Sequence, residues 1–207
     1  MRNDLTIYDR VANHWWSDDI RWVRTLKNLV PGRLKWFDRQ IDWQGKAVLD
    51  LGCAGGFMAE ALAARGAHVT GIDPAADAID AARAHARTTG LRIGYDVGVG
   101  EALPYDDASF DAVVCVDVLE HVADLRRVLA EVARTLRPGG CFCLTPSTAT
   151  RWPAWPLSTL PKICCACCPA ARMTPPCSSS PANCAGRGWC RAQPPTLAQA
   201  GSTAGLI

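Results

Sequence analysis

The sequence predicts an α/β fold: a doubly wound sheet of parallel strands, preceded by N-terminal helices and followed by a tail of a different kind. Three observations carry that expectation. The apolar run Ala47 to Leu51 breaks into Gly52-Cys53-Ala54-Gly55-Gly56 and then into FMAEALAAR, which reads as buried strand, glycine-rich turn and helix. A second short apolar strand, Ala67 to Ile72, follows and ends in Asp73. Strand and helix patterns then alternate as far as residue 144, the order of βαβ units joined by right-handed crossovers.

Residues 1–45 hold Tyr8, Trp15, Trp16, Trp22, Trp36, Phe37 and Trp43 at the spacing of amphipathic helices and short turns. This segment is expected to be a helical unit, either packed for stability or closing as a lid and greasy wall over a ligand. Arg33, which follows Pro31-Gly32, is a candidate to take the carboxylate of an amino-acid-like cofactor in a bidentate contact. The alternative is a solvated surface arginine.

Residues 46–144 are expected to form the core domain, with strands at 47–51, 67–72, 92–98, 111–116 and 141–144 and helices at 57–65, 75–88 and 123–136. Pro74 suits the opening of the second of these helices, because a missing N–H costs little in a first turn. Leu136-Arg137-Pro138-Gly139-Gly140 reads as the stop of the last helix and the turn into the last strand.

The glycine-rich turn carries the chemistry. Gly52, Gly55 and Gly56 permit a turn that side chains would block, letting backbone approach a ligand closely. Asp73 stands 21 residues beyond Gly52, the separation at which a carboxylate on the next strand can accept hydrogen bonds from a ribose. A dinucleotide site would call for G-x-G-x-x-G, whereas this turn reads G-C-A-G-G. A purely structural strand-turn-helix is the other alternative. Further along, Gly100-Glu101-Ala102-Leu103-Pro104-Tyr105 follows a strand and could set backbone and Glu101 beside an adenine. Asp117, Glu120 and His121 have i, i+3, i+4 spacing, which on a helix puts three ligands or proton carriers on one face. The alternative there is a polar helix start, with Glu120 satisfying turn amides.

VLDLGCAGG, VTGIDP, GEALPY, FDAVVCVDVLEHV and LRPGG occur in the order and spacing of the class I S-adenosylmethionine (SAM)-dependent methyltransferases, which the chain resembles over residues 46–144. Asp50, Gly52 and Gly56 form the D-x-G-x-x-x-G of that family's first motif. ANHWWSDD, NLVPGRLKWF and CVDVLEHV are similar to segments of the ubiquinone-biosynthesis O-methyltransferases of the demethylubiquinone and polyprenyl-dihydroxybenzoate type, extending the resemblance to about residues 5–144. The resemblance implies a Rossmann-like methyltransferase sheet that binds SAM through Arg33, Asp50, Gly52, Asp73, Glu101 and the backbone of Val116. It also implies methyl transfer to a phenolic oxygen of a quinone precursor or similar small aromatic, prenylated or not, with His121 as general base beside Glu120. The eukaryotic branch carries E-x-x-E-H at a metal site; here the pattern reads Asp117, Glu120, His121, with Asp in place of the first Glu and one arm shorter, and the resemblance implies Mg²⁺ or Zn²⁺ there. Val99 stands where many members have an acid.

A net charge of +2 over 207 residues gives no reason to invoke nucleic acid. There is no run long and apolar enough for a membrane span, and MRNDLTIYDR lacks the pattern of a signal peptide, so a cytoplasmic protein is expected, with peripheral membrane contact if the substrate is a lipid. The averages conceal a break. Residues 1–144 contain all 20 acidic residues against 17 basic ones, net −3, whereas 145–207 contain no acid and five basic residues, with ten of the 14 prolines and seven of the 11 cysteines. Reading the tail two bases later, with permitted codons, yields TINRNAL from Thr145 to Trp152 and EDLLRLLPRGTHDP from Pro161 to Thr174, which resemble the missing last part of the same enzymes. A frameshift near residue 144 is therefore expected, with the tail poorly ordered and the sheet edge left uncovered. Two alternatives follow from the tail: a non-catalytic SAM-binding remnant, or a metal-binding protein using Cys164, Cys165, Cys167 and Cys168.

Overall fold

The computed structural model describes residues 6–145 and the backbone of Lys162–Cys165. The strands are β1 (Ala47–Leu51), β2 (His68–Asp73), β3 (Gly94–Val97), β4 (Phe110–Val116), β5 (Leu136–Thr145) and β6 (Lys162–Cys165). They form one sheet in the order β3-β2-β1-β4-β5-β6, and every neighbouring pair is parallel. The strand order reverses between β1 and β4. In a doubly wound sheet, that reversal opens a crevice at the carboxyl ends of the two strands.

Alternation along the strands builds two hydrophobic layers. Val48, Val69, Ala112 and Val114 face one side, where they pack with α2 (Arg21–Phe37), α3 (Phe57–Ala63) and α4 (Ala76–Thr89). Leu49, Leu51, Ile72, Val113 and Cys115 face the other, against Val128 and Val132 of α5 (Leu125–Thr135). A strand buried on both faces must be apolar at nearly every position, and β1 and β4 are. Asp124 caps α5, its side chain accepting a hydrogen bond from the Arg127 amide at 3.1 Å.

The N-terminal segment is helical, as expected: α1 (Thr6–Arg10), a short 3₁₀ turn (Ala12–His14) and α2. Pro31 and Gly32 lie inside α2 and do not end it. An interior proline costs about 3 kcal/mol. Here Val23, Val30, Leu34 and Phe37 bury the inner face of the same helix, which offsets that cost, while Pro31 and Gly32 stay on the exposed outer face.

The expected elements recur with shifted ends, and three expectations are corrected. Leu136-Arg137-Pro138-Gly139-Gly140 belongs to β5 instead of forming a turn before it: Leu136 pairs with Phe110, and the register then shifts before Ala112 pairs with Cys141. Asp117 to His121 is a turn and not a helix, so its spacing does not set three side chains on one helical face. The edge of β5 is not left uncovered, because Lys162–Cys165 pairs along it as β6. The remaining tail expectations, its disorder and its cysteine metal site among them, lie outside the described residues. Among the described residues no helix is long and apolar enough to cross a membrane.

Phe37 is fully buried at the end of α2. Phe37→Ala is expected to lower stability by about 3–5 kcal/mol, read from urea denaturation followed by far-UV circular dichroism.

Candidate functional site

The site sits at the strand-order reversal, where the turns after β1 and β4 meet. Gly52 has a φ of +77°, which glycine adopts freely, and a Cβ there would overlap the side chain of Val118 from the turn after β4. A Cβ at Gly55 would overlap the indole of Trp15, and one at Gly56, at φ +91°, would press on the Tyr95 hydroxyl. The glycines are therefore required by side chains of the protein itself, and at Gly55 by the N-terminal segment.

That segment closes on the turn through an aromatic cluster. Trp16 donates its indole N–H to the Gly55 carbonyl at 2.9 Å and stacks on the His85 ring, with centroids 3.5 Å apart and planes 2° from parallel. His85 Nδ1 is 2.8 Å from a carboxylate oxygen of the buried Glu60. Trp15 stacks on Phe57 and meets Tyr8 and Trp22 at tilted and edge-on angles. The Trp15 indole N–H is buried without a hydrogen-bond partner among the described residues. The aromatic N-terminal segment is thus packed against the turn itself.

Asp73, at the end of β2, is mostly buried. One of its oxygens accepts from the Ala54 amide and the other from the Ala75 amide, both at 2.9 Å. Burial raises its pKa and these two amides oppose the rise. The carboxylate therefore braces the glycine-rich turn as well as lying beside it. Asp50 lies lower, 2% exposed within β1 beneath the turn. It accepts from the Ala59 amide through one oxygen, while Oδ2 has no hydrogen-bond partner among the described residues. Burial, with the field of Asp73 added, pushes its pKa up to about 7.

Arg33 reaches from α2 to the turn after β4, where Nη2 donates to Asp117 Oδ2. The Thr145 hydroxyl donates to Asp117 Oδ1 at 3.1 Å. Asp117 is a non-glycine residue at φ +56°, and Val116, just before it, is half-buried at the end of β4. Glu120 is exposed and His121 half-buried, with the His121 amide closing the turn onto the Val118 carbonyl at 2.8 Å. Among the described residues no group of three or more His, Cys, Asp or Glu side chains is placed to hold a metal ion. Asp117 points its carboxylate to Arg33 and Thr145. Glu101 is held within the protein: its Oε1 accepts from the Ala123 and Asp124 amides at 2.8 and 3.3 Å and fixes the loop into α5.

Tyr8 was legible in the sequence only as one aromatic among many. The structure sets it where burial and the charges of Asp73, Glu120 and Asp117 together push its phenol up, so the lid faces the acids of the site. Thr145 gave no sequence signal at all: it lies one residue beyond the last expected strand and ends β5 in the structure.

Arg33, Asp117, Val118, Gly52, Ala54 and Asp73 therefore form one continuous chain of contacts around the crevice. It offers an acid suited to a ribose diol at one end and paired charges suited to an amino acid at the other. That set of side chains suits a nucleoside joined to an amino acid, as SAM is.

Comparisons with known proteins agree with the geometry. The methyltransferase domain family matches residues 49–144. A ubiquinone biosynthesis O-methyltransferase of Coxiella burnetii is 39% identical over 139 residues, 67% of this chain and 59% of that protein. The Aromatoleum aromaticum protein of the same name is 40% identical over 138 residues, 66% of this chain and 58% of its own length. The chain thus spans under two thirds of these relatives. Among solved structures, the PH0226 protein of Pyrococcus horikoshii superposes with a TM-score of 0.56 at 29% identity, covering 67% of this chain and 65% of that one.

Two outcomes test this arrangement. Gly55→Ala should expel Trp15 and loosen the lid, seen as faster limited proteolysis before residue 20 and a red shift in tryptophan emission. Asp50 provides a pH test. Its folded pKa is raised above its unfolded value, so the native form holds the extra proton and stability falls as pH rises from about 4 to about 7, then levels. Asp50→Asn should remove that fall, making the variant more stable than the parent above pH 7 by up to roughly 4 kcal/mol, measured by urea denaturation across pH 4–8.

Proposed function

We propose that the chain is a class I SAM-dependent methyltransferase, on the match of residues 49–144 to the methyltransferase domain family, and that it methylates a phenolic oxygen of a quinone precursor or a related small aromatic. The observation that carries the reading is the continuous set of contacts linking Arg33, the 117–118 turn, Gly52 and Asp73, since it joins three distant stretches of chain at one crevice. The two relatives, both named ubiquinone biosynthesis O-methyltransferase, are the ground for the acceptor class.

When bound, SAM supplies a methyl group already activated by its sulfonium centre. The protein's share is position and charge. Asp73 is assigned to the ribose hydroxyls, Arg33 to the carboxylate, and the backbone of Gly52 and Val116 to the span between them. Asp50 acts from below, by holding the Ala59 amide and with it the start of α3. Glu101 acts at a distance, by fixing the loop that precedes α5.

The acceptor phenol must lose its proton as its oxygen bonds to carbon. His121 is assigned to take that proton on an imidazole nitrogen, since imidazole exchanges protons near neutrality. Glu120 stands next to it in the same turn and is assigned to the acceptor's side of the site. Tyr8, Trp15 and Trp22 give the crevice an apolar cover suited to an aromatic acceptor, and to a prenyl chain where the acceptor carries one. A prenylated acceptor would be met at a membrane surface. The metal-assisted route is not proposed, because Asp117, Glu120 and His121 do not converge.

Isothermal titration with S-adenosylhomocysteine checks the cofactor assignment: the full chain should bind it, and Asp73→Asn should bind it about tenfold or more weakly. Methylation of catechol-type acceptors, followed by chromatography, checks the rest. His121→Ala is expected to lose about 10²–10⁴-fold in kcat and the acid limb of its pH profile. An unchanged profile would remove His121 from the proposed chemistry.

A further inference from the structure

We propose that His85 is held as an imidazolium between Glu60 and Trp16, and that its proton is the fastener keeping the N-terminal segment on the glycine-rich turn. The segment is thereby held most firmly on the acid side of neutrality and loosens over the crevice as pH rises. The fastening is independent of whichever ligand the crevice takes.

Three elements meet at this ring. His85 belongs to α4, Glu60 to the first turn of α3, and Trp16 to the N-terminal segment, its indole N–H ending on the Gly55 carbonyl. His85 Nδ1 lies 2.8 Å from Glu60 Oε1, and His85 is the one hydrogen-bond partner of that carboxylate among the described residues. The Glu60 side chain is 9% exposed and that of His85 28%. A carboxylate so far out of water calls for a charged partner. A neutral imidazole can also donate from Nδ1, so the bond alone does not decide which form is present.

The stacking decides it. The rings of His85 and Trp16 are 3.5 Å apart at their centroids and 2° from parallel, a face-to-face sandwich that leaves almost no room for offset. Two neutral rings avoid that arrangement because their quadrupoles repel, and take offset or edge-on geometries at about 4.5–7 Å. Other aromatic contacts of the segment do so: Trp16 meets Phe57 edge-on at 4.6 Å, and Trp15 meets Trp22 edge-on at 6.0 Å. A cation over an indole face is instead attracted to it. The buried acid and the sandwich independently favour the protonated ring.

The other charges near the ring leave this assignment intact. From β3, the Tyr95 phenol lies in the field of the same Glu60 carboxylate, and burial pushes its pKa up, so it stays neutral. On α4 itself, Arg83 is turned to Asp80 and to the Tyr95 carbonyl. From the N-terminal segment, Asp9 accepts from the Asp77 amide where α1 meets α4, and His14 faces Asp19 at 3.6 Å on the exposed side. Imidazole exchanges protons between about pH 5 and pH 8. Loss of this proton removes the attraction to the Trp16 face and leaves Glu60 buried without a cation. Trp16 then releases the Gly55 carbonyl, and Trp15 beside it loses its seat over Gly55.

Amide hydrogen exchange on the full chain, corrected for the intrinsic rate at each pH, tests the proposal between pH 6 and pH 8. The reporters are His14, Trp15 and Ser17, whose amides are bonded within the segment; the amides of β1 report any change in global stability. Protection of the reporters should fall about three- to thirtyfold from pH 6 to pH 8, beyond any fall in β1. His85→Gln keeps a donor for Glu60 and removes the titrating ring, and it should show the parent's pH 8 protection at both pH values. Glu60→Gln keeps an acceptor for Nδ1 and removes the charge, and it should lower protection at pH 6 towards that same level. A parent profile that is flat, or that only tracks β1, would overturn the proposal. So would a His85→Gln chain that keeps the parent's fall, which would assign the effect to His14. Parent-like protection of Glu60→Gln at pH 6 would overturn it as well, by removing the buried acid from the fastening.

Discussion

The structure depends first on exclusion at the glycine-rich turn. Three glycines within five residues each face a neighbour that would collide with a Cβ, and the three neighbours come from three different places. Val118 comes from the turn after β4, Trp15 from the N-terminal segment and Tyr95 from β3. A single turn after β1 thereby fixes how close β4's end, the lid and the sheet edge can come to one another. Gly52 and Gly56 also hold positive φ, so any substitution there would meet backbone strain and crowding together. The sheet supplies the crevice by reversing its strand order. The glycines decide how narrow it is.

Charge is distributed around that turn in two regimes. Beneath it, Asp50, Cys53 and Tyr95 are buried close enough to disfavour one another's ionised forms, and burial raises the pKa of each. At its mouth, Arg33 and Asp117 remain partly exposed and ionic. Low dielectric strengthens whatever charge persists inside and penalises charge that is unpaired. The layer under the turn therefore tends to neutrality, with Asp73 tied down by two amides, and the ionic recognition is left to the rim.

Much of this was legible in the sequence, for identifiable reasons. Strand, turn, helix and acid at 47–73 are local patterns, and Asp73 follows Gly52 at a spacing that βαβ geometry dictates. Arg33 stood out as a candidate for a cofactor's carboxylate, but its pairing with Asp117, 84 residues away, could not be read from spacing. Asp117, Glu120 and His121 illustrate what spacing alone conceals: i, i+3, i+4 describes one face only if the backbone is helical, and Asp117 at φ +56° sends the chain into a turn. Glu101 illustrates another loss, since its amide partners at 123 and 124 are set by tertiary packing. Pro31 and Gly32, poor helix formers both, are carried inside α2 by the burial of Val30, Leu34 and Phe37 on the opposite face. The glycines were noticed for the right reason, steric room, but the occupants of that room were invisible.

The placement of Arg33 shows how the core and the site are joined. Its neighbour Leu34 and, one turn on, Phe37 are almost wholly buried against the sheet. An α-helix turns about 100° per residue, so these two apolar anchors set the rotation of α2 and leave Arg33 at the flank of its buried face. A one-residue slip would carry the guanidinium away from Asp117 and bring a polar residue into the core, a double penalty that keeps the helix in phase. On the other side of the crevice, Asp117 follows Val116 of β4, whose register with β5 continues to Thr145, the residue that orients the carboxylate. Apolar packing thus fixes one half of the ion pair and strand register the other. The two half-exposed charges meet because elements with no charge of their own at the contact hold them there.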